Sequence, residues 1–164
     1  MQCDYLKQLM NEKNTVSILF VCSGNIIRSP YAELLFEKML VEKGLMKSFM
    51  LSSGAVTYRN SKISSLSRKA LITEGVSQER INKFYPRYID DYPELFRNAD
   101  LILAMSEEHL DELEEFTDKS FLLTSFAGLP AKNVPDPYFE STPLIAFNMI
   151  KESLLTIVKC LTQK

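Results

Sequence analysis

The sequence predicts a three-layer α/β fold, in which helices cover both faces of a parallel sheet. Short apolar runs rich in strand-forming residues alternate along the chain with longer segments of helical periodicity, a pattern typical of βαβ units. Hydrophobic residues make up 46% of the 164-residue chain, which is enough to fill a core of ordinary size. No internal repeat or linker divides the chain. We therefore expect one domain over residues 16–164, preceded by an N-terminal extension of residues 1–15.

The first predicted elements lie in the extension and at the start of the domain. Leu6, Leu9 and Met10 have the spacing of a short amphipathic helix, so the extension either lies on the domain as a helix or frays. Residues 16–21 (VSILFV) are an apolar run of strand formers that is too short for a helix and breaks at residues 23–25 (SGN). This run predicts a buried first strand.

The middle of the chain continues the alternation of helix and strand. A helical stripe of apolar residues begins at Ser29 and ends near Gly44. Residues 49–51 (FML) predict a second strand, and a further helix over residues 66–72 stops at Gly75. The first strand, its loop and the helix that follows thus open an α/β unit.

The second half of the chain adds two more strands and the helices around them. Residues 92–96 predict a short helix, and residues 100–105 (DLILAM) are the most strand-like run of this half. Residues 107–116 are acidic and helical, and residues 121–123 (FLL) form another brief strand. After a loop with three prolines, a last amphipathic helix extends from about residue 142 to residue 161.

The composition disfavours several classes of function. Lysine and arginine number 19 against 21 aspartate and glutamate residues, and a net charge of −2 disfavours nucleic-acid binding. No apolar run approaches the roughly 20 residues that cross a bilayer, and charged residues interrupt the N-terminal segment, which disfavours a secretory signal. The 3 scattered cysteines do not make a disulfide framework. We therefore expect a reduced, cytoplasmic protein.

The loop after the first strand carries residues suited to an oxyanion. Residues 22–29 (CSGNIIRS) place a cysteine and an arginine at the two ends of five intervening residues, and their N–H groups can form an anion nest at the start of a helix. The planar guanidinium matches two phosphate oxygens at once. Gly24 and Asn25 suit the tight backbone, Asn25 through a positive φ. The residues predicted to surround a bound phosphate are Cys22, Ser23, Gly24, Asn25, Ile26, Ile27, Arg28 and Ser29.

The same surroundings favour the thiolate form of Cys22, since a helix N-terminus and a nearby cation both stabilise the anion. Ser29 can add a hydroxyl hydrogen bond. The alternative is a buried structural thiol at a strand end, but an apolar core would not contain Arg28.

Cleavage of a phosphate ester also needs a proton for the leaving oxygen, and Asp136, between two prolines, is the candidate. Taken alone, residues 136–138 (DPY) are an ordinary turn.

The motif C-x-G-N-x-x-R-S-P over residues 22–30 resembles the signature of the low-molecular-weight protein tyrosine phosphatases. Residues 136–138 agree with the position of the family's acid, far downstream, and the resemblance extends from about residue 16 to the end. It implies a four-stranded sheet in the flavodoxin-like order 2-1-3-4, with Cys22 as nucleophile, Arg28 as phosphate clamp and Asp136 as general acid and base.

The resemblance also implies the substrates and the walls of the site. We expect phosphotyrosine proteins or small aryl phosphates as substrates, inorganic phosphate as product, and neither a metal nor a cofactor. Tyr138 resembles the aromatic residue that flanks the family's pocket, and Tyr58 or Arg59 falls near a second wall, although Tyr58 could equally pack against the domain. Tyr31 is expected on the helix surface, and the single histidine, His109, on a solvated helix face.

The chain departs from the family's pattern at several positions. Ile27 stands where members often carry a second cysteine before the arginine, and Cys3 and Cys160 are expected to be bystanders. Glu74 precedes Gly75 where the family has a histidine that supports the loop serine, so Ser29 needs another partner.

Three rival functions remain. A thioredoxin-coupled arsenate reductase on the same scaffold needs further cysteines in the middle of the chain, which has none between Cys22 and Cys160. Protein-arginine phosphatases resemble this family but tend to carry threonine where Ile26 stands. A module that binds phosphoproteins without turnover would not need Cys22, Arg28 and Asp136 together.

Overall fold

Four parallel strands form the centre of the molecule. The computed structural model describes residues 2–139 and 143–163. The strand order is β2-β1-β3-β4, which confirms the predicted order 2-1-3-4. The bounds of the strands are β1 Val16–Cys22, β2 Phe49–Ala55, β3 Leu101–Ala104 and β4 Ser120–Leu122.

Strand β1 is apolar throughout because both of its faces are buried. Ile18 and Phe20 point into the larger core, on one side of the sheet, whereas Leu19 and Val21 point into a smaller core on the other side. A strand buried on both faces has a continuous apolar sequence rather than an alternating one. Cys22 ends β1 opposite Ala55 of β2. It therefore lies at the carboxyl edge of the sheet, between β2 and β3, where ligands bind in open α/β folds.

Helices cover both faces of the sheet. Helices α1, α2 and α8 pack on the larger core, and α5 packs on the smaller one. The bounds of the helices are α1 Cys3–Glu12, α2 Arg28–Glu42, α3 Ser65–Thr73, α4 Gln78–Asn82, α5 Pro93–Arg97, α6 Glu107–Asp111, α7 Leu123–Phe126 and α8 Pro143–Thr162, with 3-10 helices at Met46–Ser48 and Glu114–Lys119. Over the ranges that the structure describes, no helix is both long and apolar enough to cross a bilayer.

Some predicted elements differ from the observed ones. The helix predicted over residues 107–116 is two segments: α6 ends at Asp111, Leu113 has non-helical dihedral angles (φ −108°, ψ 32°), and a 3-10 helix starts at Glu114. Leu123 begins α7 instead of ending a strand. The predicted start of the last helix, residue 142, lies outside the described residues, and α4 was not predicted at all.

The N-terminal extension is a helix fixed to the C-terminal helix. Leu6 of α1 is buried in the larger core, and the backbone N–H of Gln2 donates to the carbonyl of Phe126 at 3.3 Å. Cys3 of α1 and Cys160 of α8 form a disulfide, with their Cα atoms 6.2 Å apart. Neither cysteine lines the cavity of Cys22, so both stay apart from the candidate site, although the sequence did not predict that they pair.

Helix α2 is covered on nearly all sides over its first half. The prediction that Tyr31 lies on the helix surface is wrong: its ring is buried, with its centroid 4.6 Å from that of Phe147 in α8. Burial raises the pKa of the Tyr31 hydroxyl. The sequence did not predict the burial of Tyr31 because α8, which is far away in sequence, packs over this face of α2.

Candidate active site

The loop from Cys22 to Arg28 is anchored by its carbonyl groups. Five of them accept hydrogen bonds from the surrounding scaffold: Cys22 O from Val56 N (3.1 Å), Ser23 O from Thr57 N (3.0 Å) and Tyr58 N (2.9 Å), Gly24 O from Asn60 Nδ2 (3.1 Å), Ile26 O from Ser64 N (2.9 Å) and Ile27 O from Ser67 Oγ (3.0 Å). In a trans peptide the C=O group and the following N–H group point in opposite directions. The loop N–H groups therefore turn away from the scaffold.

These N–H groups have the arrangement of an anion nest. Within residues 2–139 and 143–163, none of the N–H groups of residues 23–27 donates to a backbone carbonyl. Helix α2 begins at Arg28, directly after the loop, so the positive end of its dipole adds to the same site. The loop thus offers a ring of donors to an oxyanion.

Asn25 fixes the shape of the loop from behind. Its φ is +54°, in agreement with the prediction, and its side chain is fully buried. The amide Nδ2 donates to Ser29 Oγ (2.8 Å) and to Ser53 Oγ (2.9 Å), and Oδ1 accepts from the backbone N–H of Arg87 (2.9 Å). The left-handed conformation therefore belongs to Asn25 and not to Gly24.

Gly24 lies close to a neighbouring side chain. A Cβ atom at this position would lie 2.6 Å from Asn60 Nδ2. That amide donates to the carbonyl oxygen of Gly24, so a larger residue would displace the group that holds the loop. Asn60 was not singled out from the sequence, because nothing local marks it.

Ser29 connects this support to the nucleophile candidate. Its hydroxyl accepts from Asn25, so its own hydrogen is free to point at Cys22 Sγ, 2.9 Å away. The missing family histidine therefore leaves Ser29 with Asn25 as its partner.

A buried carboxylate continues the network away from the cavity. Ser53 Oγ donates to Glu33 Oε1 at 2.7 Å, and Arg80 Nη2 donates to Glu33 Oε2 at 3.1 Å. Burial raises the pKa of Glu33, whereas the hydrogen bond from Ser53 and the charge of Arg80 act in the opposite direction. Ser53, which accepts a hydrogen bond from Asn25, is thus held in place by its own hydrogen bond to Glu33.

Arg28 is buried and held at both ends of its guanidinium. Nη1 donates to the carbonyl oxygen of Val134 (3.1 Å), and Nη2 donates to Ser23 Oγ (3.3 Å) and lies 3.5 Å from Asp136 Oδ2. Because the N–H of Val134 donates to the carbonyl oxygen of Met105 at 2.8 Å, the segment that carries Asp136 is tied to the end of β3. This tie brings the acid candidate beside the loop from more than a hundred residues away.

Asp136 is half-buried in a local turn. Its Oδ1 accepts from the backbone N–H of Tyr138 at 3.0 Å, which is an Asx turn, while Oδ2 faces Arg28. The carboxyl group therefore has a fixed orientation at the wall of the site.

Most of the residues predicted to form the site line one cavity of about 410 Å³. Its lining consists of Cys22, Ser23, Gly24, Ile26, Ile27, Arg28, Tyr58, Arg59, Asn60, Asp136, Tyr138 and Phe139. Asn25 and Ser29 are not in the lining, because they lie buried beneath the loop. At the mouth, the exposed fractions of Tyr58, Tyr138 and Phe139 are 63%, 73% and 80%. Phe139 was not named from the sequence.

His109 contradicts the expectation of a solvated histidine. Only 1% of its surface is exposed, and its Nε2 lies 2.9 Å from Ser23 Oγ. Burial, followed by the nearby charge of Arg28, lowers the pKa of His109 to about 3. Ser106 forms a capping box with His109 at the start of α6, directly after β3. The spacing of Ser106 and His109, three residues apart at the start of a helix, was the sequence signal that could have predicted this capping box.

Cys22 is the free cysteine of this site. Over the described ranges, no group of three or more histidine, cysteine, aspartate or glutamate side chains has an arrangement that could hold a metal ion. The site thus combines a thiol, a guanidinium, a carboxyl group and a ring of backbone donors, which is an arrangement suited to a tetrahedral oxyanion.

Comparison with known proteins agrees with this geometry. The chain is 26% identical over 145 residues to the low molecular weight protein-tyrosine-phosphatase PtpA of Staphylococcus epidermidis, a match that covers 84% of this chain and 88% of that relative. It is 29% identical over 127 residues to a protein-arginine-phosphatase of Bacillus subtilis, covering 75% and 80%. The crystal structure of YfkJ from Bacillus subtilis shares the fold, with a TM-score of 0.80 at 24% identity over 92% of this chain and 99% of that one. The model of the family described as low molecular weight phosphotyrosine protein phosphatase matches residues 17–164, and the chain belongs to that family.

Proposed function

We propose that this phosphatase hydrolyses phosphotyrosine through a cysteinyl-phosphate intermediate. Cys22 is the nucleophile, Arg28 the phosphate clamp and Asp136 the general acid and base. The observation that carries the proposal is the free, buried thiol of Cys22, which lines the same cavity as Arg28 and Asp136.

In the first step, Cys22 Sγ attacks phosphorus and the bond from phosphorus to the aryl oxygen breaks. The N–H groups of residues 23–27 and the guanidinium of Arg28 bind the non-bridging oxygens, whose charge is spread in the transition state. Asp136 gives its proton to the leaving phenolate oxygen.

In the second step, water attacks the phosphorus of the cysteinyl-phosphate. Asp136 accepts a proton from this water, the sulfur leaves as a thiolate, and inorganic phosphate is released. The hydroxyl of Ser29, 2.9 Å from Sγ, stabilises the departing sulfur anion.

The walls of the cavity support an aromatic substrate. Tyr58, Tyr138 and Phe139 line its mouth and can pack against the flat ring of phosphotyrosine.

The second candidate is a protein-arginine phosphatase. It is favoured by the Bacillus subtilis relative, whose identity of 29% is similar to the 26% of the tyrosine phosphatase PtpA. Ile26 favours a tyrosine phosphatase instead, because it lines the cavity at the position where arginine phosphatases tend to carry threonine. Kinetics on phosphotyrosine, phosphoserine and phosphoarginine peptides side by side decide between the two substrates. A higher kcat/KM on phosphoarginine would contradict the proposal.

Two other candidates receive less support. A thioredoxin-coupled arsenate reductase needs further thiols that can reach the nucleophile, whereas Cys3 and Cys160 are joined to each other. A binding module without turnover would bind phosphate but release no product from an aryl phosphate.

Turnover of p-nitrophenyl phosphate in EDTA tests the catalytic roles. We expect Cys22→Ser to bind phosphate and lose turnover. Asp136→Asn should slow hydrolysis of phosphotyrosine more than that of aryl phosphates with acidic phenols, because the latter need less help from an acid. The matched control is Asp111→Asn, an exposed aspartate outside the cavity lining. Equal slowing on both substrates, or substantial activity of Cys22→Ser, would exclude the assigned role.

A further inference from the structure

A chain of hydrogen bonds leads from α6 into the phosphate loop. The backbone N–H of Ser106 donates to His109 Nδ1 at 3.1 Å, and Ser106 Oγ lies 3.1 Å from the same nitrogen. Since Nδ1 accepts, the imidazole hydrogen is on Nε2. Nε2 therefore donates to Ser23 Oγ, 2.9 Å away.

Ser23 consequently receives two hydrogen bonds on one oxygen. Besides His109, Arg28 Nη2 donates to Ser23 Oγ at 3.3 Å, and a guanidinium cannot accept. A hydroxyl oxygen has two lone pairs, so both are used and the hydroxyl hydrogen remains. Ser23 lines the cavity, whereas His109 does not.

We propose that Ser23 donates its hydroxyl hydrogen to an oxygen of the bound phosphoryl group, and that His109 is the positioning residue that imposes this orientation. The inference rests on the proposed function, because it assigns an additional donor to the same oxyanion site. A hydroxyl that is free to rotate would spend part of its time with its hydrogen directed elsewhere. The contact from His109 removes that freedom before the substrate arrives.

Calorimetric titration with inorganic phosphate and kcat/KM on p-nitrophenyl phosphate test the proposal. We expect Ser23→Ala to raise the Kd for phosphate and to lower kcat/KM, each by about 10- to 100-fold, as for the loss of a hydrogen bond to a charged group. Ser23→Thr, which keeps the hydroxyl, should recover most of both losses. Ser125→Ala, an exposed serine of α7, serves as the matched control.

A double-mutant cycle separates positioning from general support of the fold. His109→Ala should lower kcat/KM in the wild-type background but not in Ser23→Ala, since it acts through that hydroxyl. His109→Gln, which can still donate from its Nε2, should retain most of the wild-type value. If His109→Ala does not fold, the Ser23 variants and His109→Gln still test whether the Ser23 hydroxyl donates to phosphate and whether His109 positions it.

Two results would overturn the inference. One is an unchanged Kd for phosphate in Ser23→Ala, and the other is an equal loss from His109→Ala with and without the Ser23 hydroxyl. The first result is a binding measurement that needs no turnover. It is therefore distinct from failure of the proposed function, in which the wild-type protein binds phosphate but does not turn over aryl phosphates.

Discussion

Acid should destabilise this protein through one residue. His109 is the single histidine of the chain, and its pKa in the folded state is lowered to about 3 from an ordinary value of 6.5. The unfolded chain therefore binds a proton at His109 below pH 6.5, whereas the folded chain does not until about pH 3. The free energy of unfolding consequently falls as the pH drops through this window, and it is unaffected by His109 above it.

The expected size of this effect follows from the two pKa values. Relative to pH 8, the loss at pH 5 is about 2 kcal/mol, which corresponds to a shift of roughly 1 M in the urea midpoint of a protein of this size. Glu33 acts in the opposite direction, because its raised pKa makes the folded chain take up a proton more readily than the unfolded chain as the pH falls. That contribution is shared by any variant at position 109.

The assay is urea unfolding, followed by circular dichroism, of the wild-type protein and His109→Gln at pH 8 and pH 5. The variant keeps a donor toward Ser23 and cannot titrate in this range. We expect the wild-type protein to lose about 2 kcal/mol more than the variant between the two pH values. The same loss in both proteins would show that His109 is not held neutral by its surroundings, and our account of its burial would be wrong.

Three further outcomes follow from the geometry. Asn25→Ala removes the hydrogen bonds to Ser29 and Ser53 and places alanine at a positive φ, so urea unfolding should show a loss of about 2–4 kcal/mol, with a fall in kcat/KM. An unchanged unfolding curve would contradict the support assigned to this amide. Cys160→Ser should lower the free energy of unfolding under non-reducing conditions by about 2–5 kcal/mol and leave kcat/KM unchanged, whereas equal stability would mean that the disulfide contributes nothing. Prolonged peroxide should inactivate the enzyme in a way that dithiothreitol reverses poorly, because no second cysteine is available to form a disulfide with oxidised Cys22: Ile27 stands directly before Arg28, and Cys3 and Cys160 are paired with each other. Full recovery of activity would refute this.

The features that the sequence predicted correctly are those determined by neighbouring residues. Strand β1 could be identified because both of its faces are buried, which requires an unbroken apolar run. The loop from Cys22 to Arg28 could be located because it joins the end of the apolar run of β1 to the start of α2, and its role as a phosphate site stays a prediction. The positive φ of Asn25 was also predictable, since few side chains adopt it.

The features that were missed depend on contacts between distant segments. His109 follows two glutamates and looks like a surface residue, but parallel pairing brings the end of β3 beside the end of β1 and buries the ring. Cys3 and Cys160 stand 157 positions apart, and no local pattern links them. Tyr31 is hidden by a helix that starts more than a hundred residues later.

The bond between the first and last helices turns almost the entire polypeptide into a closed covalent ring. A protease that cuts once in the exposed stretch over residues 130–133 would open the backbone without releasing either fragment. Such nicked material would migrate as one species in a non-reducing gel and split into two bands after reduction. The same closure prevents the two terminal segments from separating fully even while the sheet between them is transiently open.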